Sequence, residues 1–117
     1  VFESAIDLLS FATLELLEGR DWKAETLLSL AGVFRTKRDR VVPVALTQFL
    51  NEHPSIYQIR LHLDNDAVGR CAVEGIVSGL QGKYRVVDEP PPCGKDVNDE
   101  LRTRVEQMKK RKEPERT

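Results

Sequence analysis

Leu61-His62-Leu63-Asp64-Asn65-Asp66 runs an apolar strand straight into two carboxylates one residue apart. A buried strand tolerates no unpaired charge, so acids at its exit must meet water, a cation or the N-terminus of a helix. Cα atoms two apart on a strand are about 6 to 7 Å from each other and their side chains share a face. Asp64 and Asp66 can therefore converge on one ion where the chain stays extended into the turn. Upstream, the alternation predicts a strand over residues 56–63, with Tyr57, Ile59, Leu61 and Leu63 on one side and Gln58, Arg60 and His62 on the other. His62 shares its face with Asp64, so it is expected to be partly exposed, with a pKa raised by the neighbouring acids.

At the start of the chain, Val1-Phe2-Glu3 reads as the end of another strand. Laid beside the first, it brings Glu3 in as a third oxygen donor. The expectation is that Glu3, Asp64 and Asp66 hold magnesium, a hard cation that prefers oxygen ligands at about 2.0 to 2.1 Å and keeps waters that a phosphate can displace. Without a cation, crowded carboxylates raise at least one pKa by like-charge repulsion. A helix follows from Ser4, a suitable cap, to Gly19. Its Ala5, Ile6, Leu8, Leu9, Ala12, Leu16 and Leu17 leave little polar surface, which predicts a helix covered by sheet and by other elements. Asp7 is either a first-turn acid favoured by the helix dipole or a fourth member of the acidic group.

Residues 27–33 form a short apolar run consistent with a buried strand, followed by Phe34-Arg35-Thr36-Lys37-Arg38-Asp39-Arg40, with four cations in six residues. That stretch is a solvated loop or a phosphate-contacting one. In a parallel sheet it leaves from the carboxyl edge, where ligands bind in open α/β sheets. Pro43 opens a helix carrying Val42, Ala45, Leu46, Phe49 and Leu50 at helical spacing, and Asn51-Glu52-His53-Pro54 stops it. The next helix starts at or just after Asp66 and ends at Gly82; Gly69, Gly75 and Gly79 permit close packing. Tyr84 to Val87 is a short strand, and Glu89-Pro90-Pro91-Pro92 takes the chain out of the sheet. In Cys93-Gly94-Lys95-Asp96-Val97-Asn98-Asp99, Asp96 or Asn98 caps a last helix, or Asp96 approaches the metal and Lys95 a phosphate. That helix carries Leu101, Val105 and Met108 on one face and ends in Lys109-Lys110-Arg111-Lys112.

A chain of 117 residues with 40% hydrophobic and 32% charged residues suits one globular unit. A net charge of −1 gives no global field to recruit nucleic acid, so any such binding must use a local patch. Cys71 and Cys93 form no C-x-x-C pair, and a reduced, cytoplasmic protein is expected. No apolar run approaches the roughly 18 residues of a membrane helix. Gly79-Leu80-Gln81-Gly82-Lys83 lacks the spacing and the Ser/Thr of a P-loop, and neither H-E-x-x-H nor G-x-S-x-G occurs. With Val1 inside an apparent strand and Met108 the only methionine, the chain reads as a domain cut from a longer protein, its first strand clipped.

Glu3 to Asp7, Asp64-Asn65-Asp66-Ala67-Val68-Gly69-Arg70 and Gly94-Lys95-Asp96, in this order on a β/α alternation, resemble the motifs of a Toprim domain. That module is shared by bacterial primases, type IA and type II topoisomerases, small nucleases and recombination-mediator proteins. The usual glycine after the first acid is Ser4 here. The similarity is greatest to primase-like Toprim domains of large bacterial mobile-element proteins. It implies an α/β, Rossmann-like fold of about four mostly parallel strands flanked by helices over residues 1–100, with residues 101–117 a C-terminal helix and basic tail or linker. It further implies a module for magnesium-dependent phosphoryl transfer on DNA or RNA, with manganese as a substitute, nucleotides as co-substrates and other domains of the parent protein as partners. Nuclease or topoisomerase chemistry, or binding without turnover, are the alternatives. By the same resemblance Glu3 is catalytic acid or base and a metal ligand, Asp64 and Asp66 hold the metal, and Asp96 and Asp7 support them. Arg35, Lys37, Arg38, Arg70 and Lys95 are our candidates for phosphate contacts.

Overall fold

The computed structural model describes residues 1–31 and 42–112. Helix α1 (Ala5–Leu17) is followed by a 3-10 turn at Trp22–Ala24, then α2 (Val44–Glu52), β1 (Gln58–Leu61), α3 (Ala67–Leu80), β2 (Arg85–Asp88) and α4 (Val97–Lys112). Two of the helices start as their sequences suggest. The Ser4 hydroxyl accepts the Asp7 N–H at 3.2 Å, and Asp66 Oδ1 accepts that of Gly69 at 2.7 Å.

β1 and β2 pair in parallel, from Gln58 opposite Arg85 to Leu61 opposite Asp88. Two further extended segments lie alongside. The Val1 amine donates to Arg60 O and His62 N–H donates to Val1 O, both at 2.8 Å. Phe2 in turn bridges Ser29 in parallel, through Phe2 N–H to Leu28 O at 2.9 Å and Leu30 N–H to Phe2 O at 2.8 Å. Among the described residues only β1 and β2 are regular strands. The pairing at residues 1–2 stops at once because the chain turns at Glu3 into α1. The regular strand at Gln58–Leu61 is likewise shorter than the run expected over residues 56–63.

One core cluster joins Ile59, Leu61 and Leu63 to Leu46 and Leu50 of α2 and to Val73, Ile76 and Leu80 of α3. Each such side chain removed from water contributes roughly 1.5–3 kcal/mol before entropy is counted. The second cluster holds Phe2, Phe11, Leu14 and Val97, and so packs α1 against the start of α4. Tyr57 departs from the predicted alternation and is 75% exposed, since it precedes the paired strand. α1 also departs from expectation: Ile6, Leu9 and Leu16 are each more than 60% exposed. Its covered stripe is the narrower one of Asp7, Ser10, Phe11 and Leu14. No helix among the described residues is long and apolar enough to cross a membrane.

His62 is partly exposed, as expected, but most of its ring lies against the second cluster. Its ring stacks on Phe2 at 5.1 Å and tilts against Phe11 at 4.8 Å. Burial foremost pushes its pKa down to about 4, the reverse of the expected rise. The unfolded imidazole protonates near pH 6.5, so His62 removes stability as pH falls from about 6.5 towards 4. His62→Phe, which keeps a ring in the stack, is expected to spare about 2 kcal/mol of the loss between pH 7.5 and pH 5. Urea midpoints of both chains at the two pH values measure this; equal acid sensitivity refutes it.

Candidate metal centre

Because β1 and β2 are parallel, and the Val1–Phe2 segment runs with them, the chain leaves all three towards one edge. Glu3 and Asp64 meet there. The Asp64 N–H donates to Glu3 Oε2 at 2.6 Å across 61 residues of chain. The α3 helix then begins so close to Asp64 that a Cβ on Gly69 would stand 2.0 Å from the Asp64 carbonyl oxygen. Only a residue without a side chain admits that approach.

The loop before α4 closes over the same edge. Gly94 has φ +75°, and a Cβ there would stand 2.5 Å from that of Asp99. Lys95 N–H donates to Asp99 Oδ2 at 3.0 Å, while Asp96 Oδ1 accepts the Asp99 N–H at 2.8 Å and so caps α4. The Lys95 carbonyl accepts the Asn65 N–H at 2.6 Å, which stitches this loop to the Asp-Asn-Asp turn. α1 contributes Asp7, which is only 4% exposed. Its Oδ2 accepts from the Ser4 hydroxyl at 3.0 Å and its Oδ1 from the Asn98 N–H at 3.2 Å.

Carboxylate oxygens of Asp7, Asp64 and Asp96 thereby lie within 4.8 Å of one another. Asp7 is both of the things its position allowed, a first-turn acid and a member of the acidic group, and Asp96 both caps its helix and joins the group. Asp64 Oδ1 is buried and has no hydrogen-bond partner. Burial pushes the Asp64 carboxyl up to about 7, helped by the charge of Glu3, a hydrogen bond to it, and the charges of Asp7 and Asp96. A buried oxygen without a donor, on a carboxylate grouped with two others and raised by like charge, fits a small hard dication.

The remaining candidates are placed as follows. Asp66 is turned to the start of α3, and its Oδ2 lies 3.5 Å from Lys95 Nζ. Asp66 foremost, then Asp64, hold the Lys95 ammonium above its usual range. Arg70 pairs with Asp88 at 2.7 Å and reaches the Leu63 carbonyl at 3.4 Å, so it ties α3 to the end of β2. Arg35, Lys37 and Arg38 lie outside the described residues. Sequence reasoning missed Ser10, which is 3% exposed and donates to Asn98 Oδ1 at 3.1 Å. Its only signal was its position three residues after Asp7, on the same helix face.

Compared with protein families, residues 1–101 match the model of a family described as Toprim-like. No curated protein and no solved structure matches the chain.

Proposed function

The chain belongs to the Toprim-like family, and from that premise we propose that it is a module for magnesium-dependent phosphoryl transfer on nucleic acid, of primase type, within a longer mobile-element protein. The observation that supports this most directly is the meeting of Asp7, Asp64 and Asp96 beside Glu3, with one Asp64 oxygen buried and unpartnered. In this reading the segments Val1–Phe2 and Leu28–Leu30 are the third and fourth members of a four-stranded family sheet in the order β2, β1, Val1–Phe2, Leu28–Leu30, reduced here to bridges.

Asp7, Asp64 and Asp96 hold the cation. When bound, magnesium neutralises charge on a phosphate and orients it for in-line attack. Glu3 is hydrogen-bonded to both the backbone and the carboxyl of Asp64, and serves as acid or base. Asp66 keeps Lys95 at the rim of the site, where the exposed ammonium can exchange one anion for a substrate phosphate. Arg35, Lys37 and Arg38 remain candidates for phosphate contacts on their sequence alone. Arg70 joins Lys95 only by giving up Asp88. Tyr57 is a poor nucleophile for strand breakage of topoisomerase type, since seven residues of extended chain put it about 20 Å from Asp64.

Titration with Mn²⁺ tests the metal assignment. The wild-type chain is expected to bind, and Asp96→Asn or the Asp64→Ala/Asp66→Ala pair to bind at least about tenfold more weakly. Equal binding by all three removes the proposal. Incubating the parent protein with nucleotides and a single-stranded template, and separately with labelled duplex, separates polymerisation from cutting. Salt-dependent oligonucleotide binding without turnover supports a binding module instead.

A further inference from the structure

The proposed centre takes one acid from α1 and another from the cap of α4, so its dimensions depend on how those two helices are held. Most of that interface is apolar: Val97 is 3% exposed among Phe2, Phe11 and Leu14. Apolar contact resists separation but is not directional. A hydrogen bond, by contrast, has a distance window of a few tenths of an ångström and an angular preference. At the level of the acids, among the described residues, there is one such bond from side chain to side chain, from Ser10 Oγ to Asn98 Oδ1 at 3.1 Å. Asn98 is also the residue whose N–H donates to Asp7 Oδ1, and it stands two positions after Asp96. Ser10 stands three positions after Asp7. The hydroxyl therefore grips α4 at the point where its displacement would change the separation of Asp7 and Asp96.

We propose that Ser10 and Asn98 are positioning residues for the cation: the Ser10 hydroxyl, acting through Asn98, sets the approach of Asp7 to Asp96. This rests on the reading of the three aspartates as a metal centre. Neither residue touches the ion. Their effect is that of hydrogen-bond partners outside a ligand shell, whose removal typically weakens metal binding 10- to 100-fold.

The test uses the full chain and the metals alone, with Ser10→Ala, Ser10→Thr and Asn98→Ala. Mn²⁺ affinity is read from the electron paramagnetic resonance signal of the free ion. Tb³⁺ luminescence lifetimes in H₂O and D₂O count the waters that remain on the ion. Ser10→Ala is expected to bind Mn²⁺ about tenfold more weakly and to leave an additional water on Tb³⁺. Ser10→Thr, which keeps the hydroxyl, is expected to restore both readings. A purely packing role predicts the opposite ranking, because the added methyl is the larger insult to a buried site. Asn98→Ala keeps the backbone donor to Asp7 and removes only the side-chain link, so it carries the test if Ser10→Ala does not fold. Wild-type affinity and hydration in Ser10→Ala, or in Asn98→Ala where Ser10→Ala does not fold, overturn the positioning role and leave the metal centre standing. Failure of the wild-type chain to bind either ion overturns the metal centre itself.

Discussion

Gly69→Ala is expected to unfold the chain at a temperature lower by on the order of 10 °C and to abolish stabilisation by divalent cations. A Cβ at this position meets the carbonyl oxygen of Asp64 at 2.0 Å and its carbonyl carbon at 2.9 Å. Both atoms are backbone, so no rotamer change relieves the clash. Either α3 moves away from the sheet edge, or the Asp-Asn-Asp turn moves and takes the Asp64 carboxylate with it. Overpacking of this kind costs about 1–3 kcal/mol or more, and about 4–8 °C of melting temperature accompanies each kcal/mol in a domain near this size. Gly79→Ala is the control, because its added methyl meets side-chain atoms of Val42 and no backbone, away from Asp64. It should melt closer to wild type and keep its response to Mg²⁺. A Gly69→Ala chain that melts within 2 °C of wild type would show that the turn is pliable and that the approach of α3 does not hold Asp64.

Asp64→Asn is expected to stabilise the metal-free chain above neutral pH while destroying its response to metal. Asp64 ionises near pH 7 in the folded chain, burial being the largest cause and Glu3 the next, against about 3.9 when unfolded. Between these values the folded state binds the proton that the unfolded state has lost. Its contribution is therefore present at the acid end and lost as pH rises through about 7. Asparagine carries no charge at any of these pH values. The variant should thus exceed wild type by on the order of 1 kcal/mol at pH 8, a figure reduced for the partial exposure of Asp64. The difference should shrink as pH falls below 7 and close near pH 4. His62 acts in the opposite direction over much of this range, so the two chains must be compared at each pH instead of one chain across pH.

With Mg²⁺ at about 100 times its dissociation constant, wild type should gain about 2.7 kcal/mol and the variant nothing. Denaturant midpoints with and without Mg²⁺ decide the matter. An Asp64→Asn chain that is no more stable than wild type at pH 8 would show that the carboxylate is not under electrostatic strain. One that still gains stability from Mg²⁺ would remove Asp64 from the ligand set.

The sequence by itself determined what depends on neighbours a few residues apart. Ser4 and Asp66 accept N–H groups three residues on, a relation local composition specifies. The apolar run to Leu63 ending in two acids foretold a buried strand with its exit at a charged edge, and the order of the acids carried the family. Their partnership was a different matter. Asp66 was as good a ligand as Asp64 by spacing alone; only the fold sets its Oδ1 against the Gly69 N–H and its Oδ2 3.5 Å from Lys95 Nζ. Asp7 could be named but not placed, because its place is set by an N–H 91 residues away on α4. His62 read as a partly exposed residue near acids; it is partly exposed, yet its pKa falls instead of rising because Phe2 and Phe11 arrive from other segments and cover most of its ring. Tertiary structure decided these points because contacts between distant residues depend on how whole helices pack, which no local pattern encodes, and because desolvation exists only once the neighbours have arrived.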